Sequence, residues 1–123
     1  MTSYICIMIA LLIPILCSAY AKFFQKGYDN RYPKKYLETL KGRGLRAHYA
    51  QQNSWEAFAP FSISVLAAHQ LGARVSLINF LCLIFVSARF SYCYFYINDR
   101  NTPRSVAWLV GFLSILALFI VGL

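Results

Sequence analysis

The chain has 123 residues, 59% of them hydrophobic and only 13% charged, with a formal net charge of +8. A soluble domain carries about 25% charged residues, whereas here nearly all the charge sits in residues 22–46 and 99–104. That pattern excludes an ordinary soluble domain, and the positive balance reads as basic loops beside anionic headgroups rather than as a nucleic-acid footprint.

A membrane helix needs roughly 20 mainly apolar residues, and in lipid such a segment must be helical because its backbone has no other partners. The first candidate, residues 4–21, is uncharged and contains Pro14. Ala19-Tyr20-Ala21 resembles a signal-peptidase site, but nothing positive precedes it and three more apolar segments follow, so it reads as a retained helix. Residues 22–44 hold glycines, a proline, dense Lys and Arg, and interleaved aromatics, which mark a basic loop at a membrane interface. Within it, Pro33 to Leu40 suits a short surface helix.

The second long helix is expected over residues 45–71, with its first two turns outside the bilayer. Gly72-Ala73 makes a tight turn, residues 75–97 form the third helix, and residues 104–122 the fourth, opened by Pro103. The fold class is therefore all-α: one domain over residues 1–123, an integral membrane four-helix bundle. Lys and Arg crowd the first loop, with Arg100 and Arg104 in the third. The positive-inside rule then puts both loops in the cytoplasm and both termini outside. Cys6, Cys17, Cys82 and Cys93 all fall inside helices and read as small buried residues. His48 and His69 have no partner at metal spacing, and no metal is expected.

Ionisable residues within membrane segments are costly, about 2.5–3.5 kcal/mol at a helix centre, and mark functional sites. Glu56 and Arg89 are two such residues. Counted at 1.5 Å per residue from the basic side, they lie at nearly the same depth on antiparallel helices, so a direct Glu56–Arg89 ion pair is expected. Arg46, Asn53, Glu56 and Pro60 share an arc of about 80°, and Arg89, Tyr92 and Tyr96 share one face of the third helix. Two polar stripes thus meet below Arg100 and Arg104, making an electropositive pocket for a polar anionic molecule. The same residues also read as helix-to-helix bonding and an interfacial tyrosine belt.

In their order and spacing these residues resemble the MAPEG family, membrane-associated proteins in eicosanoid and glutathione metabolism, and the short bacterial members above all. The matching features are an Arg46-Ala47 start followed by Asn53, Glu56 and Pro60; Ala88-Arg89 followed by Tyr92 and Tyr96; and Pro103-Arg104-Ser105. The likeness runs from about Arg43 to Gly122, and the first helix matches only as an apolar segment. It implies a homotrimer in the bacterial inner membrane, with glutathione as co-substrate between subunits and a lipophilic small molecule as second substrate. It implies Arg104 as the catalytic cation that stabilises the glutathione thiolate, and Arg46, Asn53, Glu56, Arg89, Tyr92, Tyr96 and Ser105 around the substrate. The implied activity is a glutathione-dependent transferase or peroxidase. Tyr49 stands where eukaryotic members usually carry arginine. That departure supports an alternative: a non-enzymatic protein that binds a lipid or partner and keeps a degenerate glutathione site. A transporter reading is weak, because no inverted repeat is visible.

Overall fold

The computed structural model describes residues 1–123. It contains helices only: α1 (Thr2–Phe23), α2 (Pro33–Glu38), α3 (Gly42–Gln70), α4 (Val75–Ile97) and α5 (Asn101–Val121). The four long helices run alternately up and down. Ser3, His69 and Asn79 meet at one end, where Gly122 also abuts Leu71, while Arg43, Tyr20 and Asn98 meet at the other. Both termini therefore share the end opposite the basic loop.

Each long helix buries a narrow stripe at a spacing of three and four residues. On α1 it is Ser3, Cys6, Ala10, Ile13, Cys17 and Ala21. On α3 it follows Ala47, Ser54, Phe61 and Ala68, a heptad repeat that keeps one seam against neighbouring helices. Most of these side chains are small, which lets backbones approach closely where no hydrophobic force drives helices together. Many large apolar residues face outward, among them Met8, Leu16, Phe80, Phe90 and Ile120, although Phe61, Phe85, Ile78 and Leu118 are buried. A soluble protein would invert that arrangement.

Three helices, α1, α4 and α5, are long and apolar enough to cross a membrane. Four had been expected. The fourth long helix, α3, falls short because its first half carries Arg43, Arg46, His48, Gln51, Gln52, Asn53 and Glu56. Helix ends also move. α3 starts at Gly42 rather than residue 45, so Gly44 lies inside it. A Cβ on Gly44 would stand 2.8 Å from the Phe24 ring, so the glycine gives this ring room. α5 starts at Asn101, which leaves Pro103 in its first turn, where a missing N–H costs nothing. α2 stops at Glu38 rather than Leu40.

Two left-handed residues make the tight reversals. Gly72 (φ 79°) ends α3 by donating its N–H to the His69 carbonyl, and Ala73 donates to Ala68. Asp99 (φ 58°) ends α4 in the same way, donating to Tyr96 while Arg100 donates to Phe95. Asn98 supplies the Tyr94 carbonyl through both its backbone N–H and its Nδ2. Arg46 Nε then donates to the Ile97 carbonyl at 3.0 Å. All four terminal carbonyls of α4, otherwise unpaired, are thus satisfied.

Candidate functional site

The polar arc of α3 does not face the bundle axis. Arg46, Asn53 and Pro60 each precede by one residue the buried Ala47, Ser54 and Phe61. One residue is 100° of rotation, so the arc lies on the shoulder of the buried seam. Glu56 is accordingly exposed and Asn53 half-buried.

Arg89 on α4 is the one charged residue buried in the bundle, 3% exposed. It does not form the expected ion pair with Glu56. The single salt bridge of the chain is Arg31–Asp29, 3.5 Å apart at the surface. Arg89 Nη2 instead donates to Ser54 Oγ at 3.0 Å, and Ser54 Oγ donates to the Ala50 carbonyl at 2.7 Å. Cys93 Sγ lies 3.6 Å from the same hydroxyl. The depth argument for the pair holds, but the rotation does not: Ser54 sits two residues, or 200°, around α3 from Glu56. Ser54 is the residue that sequence reasoning missed. Its signal was its place in the heptad seam, level with Arg89.

Arg89 also begins a ladder of cations and rings. Its guanidinium lies 4.2 Å from the Tyr92 ring centre, Tyr92 meets Tyr96 edge-on at 5.6 Å, and Arg104 lies 4.5 Å from the Tyr96 ring centre. Such contacts each contribute about 0.5–2 kcal/mol, most where water is excluded. The ladder joins a buried cation to a half-buried one at the basic end of the bundle. Tyr49 of α3 packs beside it, 6.5 Å from Tyr96.

Asn53, Glu56 and Arg89 line one cavity of about 280 Å³, between α3, α4 and α5. Asn53 Nδ2 reaches Glu56 Oε2 at 3.4 Å, while its Oδ1 is buried with no partner. Pro60, on the same wall, has no N–H to offer the Glu56 carbonyl. Buried acceptors are almost always paired, and Asn53 Oδ1 is an exception within a residue that lines the cavity. The cavity therefore offers acceptors from Asn53 and Glu56 and unassigned N–H donors from Arg89.

The profile of the MAPEG family matches residues 2–123. The chain belongs to the MAPEG family. The match takes in α1, where the motif resemblance covers only an apolar segment. Neither a curated relative nor a solved structure matches the chain.

The residues suggested by the MAPEG resemblance separate into groups. Asn53, Glu56 and Arg89 share the cavity, and Tyr92, Tyr96 and Arg104 extend from it as the ladder. Arg46 stands apart, holding the end of α4. Ser105 is exposed and lines neither the cavity nor the ladder. A second, apolar groove of about 740 Å³ runs between the outer faces of α4 and α5 and contains none of these residues.

Proposed function

We propose that this MAPEG protein is a membrane-embedded, glutathione-dependent transferase or peroxidase acting on lipophilic electrophiles. The observation that carries the proposal is the unpartnered Asn53 Oδ1, held with Glu56 and Arg89 around one cavity. In this reading the ammonium of the γ-glutamyl end binds Asn53 Oδ1 and Glu56, and its carboxylate binds Arg89. Arg104 stands toward the thiol. A nearby cation lowers a thiol pKa, and the thiolate is the attacking species.

All four long helices cross the bilayer in this reading. The 29 residues of α3 span roughly 44 Å, more than the hydrocarbon core of about 30 Å. Its basic first turns stand in the cytoplasm, both termini lie outside, and the membrane is the bacterial inner membrane. The rest of its polar face needs cover from lipid. Gln52 and Glu56 are exposed on a single copy, and a homotrimer packed along α3 supplies that cover. The volume argues the same way. Drug-sized ligands occupy about 300–1,000 Å³, so a 280 Å³ cavity needs a neighbouring copy to hold a tripeptide and a second substrate.

Tyr49 favours a second reading, a lipid- or partner-binding protein with a degenerate site. The two differ in turnover. Purified protein should conjugate glutathione to an electrophile, and Arg104→Ala should lower kcat at least tenfold while glutathione still binds. Binding without turnover in the unaltered protein would favour the second reading. Full activity in Arg104→Ala would remove Arg104 from the chemistry.

A further inference from the structure

All four cysteines are free and buried, two on α1 and two on α4. These helices run parallel, and the Ser3 N–H donates to Asn79 Oδ1 at 3.1 Å, a separation of 76 positions. The same register carries Cys6 to Cys82 and Cys17 to Cys93. The bundle thus holds two facing thiol pairs, one toward each end.

Their surroundings differ. Cys6 and Cys82 pack among apolar side chains such as Val65, Ile78 and Leu118. Cys17 and Cys93 pack with Ala50 and Tyr92 and lie within hydrogen-bonding reach of each other. Cys93 Sγ also stands 3.6 Å from Ser54 Oγ, which accepts from Arg89 at 3.0 Å. On α4, Arg89 is one turn from Cys93 and two turns from Cys82. A thiolate is the reactive form of cysteine. At Cys93 it has a cation nearby, and the Ser54 hydroxyl, which now donates to Ala50, can rotate to donate to it.

We propose that Cys17 and Cys93 form a second redox site, which reduces hydrogen peroxide by closing to a disulfide. Cys93 is the attacking thiol, because Ser54 and Arg89 stand on its side of the pair. Cys17 is the resolving thiol. Both are at most 7% exposed, and the gap bordered by Ala10, Ile13, Ser54 and Arg89 has no room for a resting water. Arg89 also lines the 280 Å³ cavity. Brief side-chain movement there admits only the smallest peroxide.

The reaction balances with peroxide as the sole oxidant. The Cys93 sulfur bonds to one peroxide oxygen, and the O–O bond breaks. The departing oxygen takes up the Cys93 proton and leaves as water. The Cys17 sulfur then displaces the remaining oxygen from Cys93, and that oxygen leaves as water with the Cys17 proton. Two thiols lose two electrons and the peroxide gains two. The new bond ties α1 to α4 across a long loop and should raise the melting temperature.

Reduced protein in detergent, without glutathione, is treated with hydrogen peroxide, quenched with catalase, unfolded and labelled with N-ethylmaleimide. Labels should fall from four to two, with Cys17 and Cys93 linked in the peptide mass spectrum, and dithiothreitol should restore all four. The bulky cumene hydroperoxide should act at least about tenfold more slowly, as burial dictates. Cys17→Ser should stop at a Cys93 sulfenic acid that dimedone traps, and Cys93→Ser should keep every remaining label. If a serine variant does not fold, the alanine variant at the same position replaces it. Retention of four labels, equal rates with the two peroxides, a Cys6–Cys82 link forming as fast, or a link between chains would overturn the proposal. No glutathione is present, so a failure of glutathione to bind would count against the transferase reading alone.

Discussion

Ser54 and Glu56 are two residues apart, yet they stand in different relations to Arg89. Ser54 donates nothing to the arginine and accepts from it at 3.0 Å in a buried site, whereas Glu56 shares only the cavity. Hydrogen bonds between membrane helices average about 0.6 kcal/mol and reach about 1.7, and a charged donor favours the upper end. Ser54→Ala should therefore destabilise by about 1–2 kcal/mol and Glu56→Gln by less than about 0.5 kcal/mol. A double-mutant cycle read by steric-trap or denaturant unfolding should couple Arg89 to Ser54 and hardly to Glu56. Coupling of Glu56 above that of Ser54 would restore the direct ion pair. Depth was legible in the sequence, because rise per residue is fixed. Facing was not, because polar residues and small residues compete for the seam. The polar arc looked inward by chemistry, but the adjacent stripe of alanine, serine and phenylalanine packs better and takes the interior.

At the scale of elements, the turns carry the most specific chemistry. Both reversals place a residue in the left-handed region, glycine at position 72 and aspartate at position 99. A non-glycine residue there costs roughly 1–2 kcal/mol in the general case, and less for aspartate. Asp99→Gly should thus raise stability by about 0.5–1 kcal/mol, visible as a higher melting temperature in detergent; a fall would mean that the Asp99 carboxylate does something beyond the turn. Arg46 belongs to this scale as well. Its bond to Ile97 ties the start of α3 to the end of α4, a role that its place in the polar arc did not disclose. Long apolar runs made α1, α4 and α5 plain in the sequence. The boundaries at Gly42 and Asn101 were harder, since glycine and proline usually break helices, and here Gly44 makes room for Phe24 and Pro103 sits in a first turn.

The whole molecule presents many large apolar side chains on its outside, apart from the α3 face with Gln52 and Glu56. That face predicts the assembly. Protein extracted in mild detergent should run as three copies in native mass measurement, and a cysteine at Gln52 should cross-link between copies. A monomer that keeps glutathione binding would contradict it. The family and the helical bundle could be reached from motif spacing alone, because both rest on local patterns. The cavity could not, since its walls come from three helices whose relative rotation only packing decides.

Everything proposed for the site depends on Asn53 Oδ1 being kept unpaired for a ligand. The direct test is a thermal-shift titration with glutathione on the unaltered protein, Glu56→Gln and Asn53→Leu. Leucine removes a buried unsatisfied acceptor, so Asn53→Leu should melt no lower than the parent without ligand. The parent should gain stability with glutathione, about 2.7 kcal/mol at a hundredfold excess over Kd. Both variants should lose most of that gain. A parent unmoved by millimolar glutathione, or an Asn53→Leu protein that responds equally, would contradict the account.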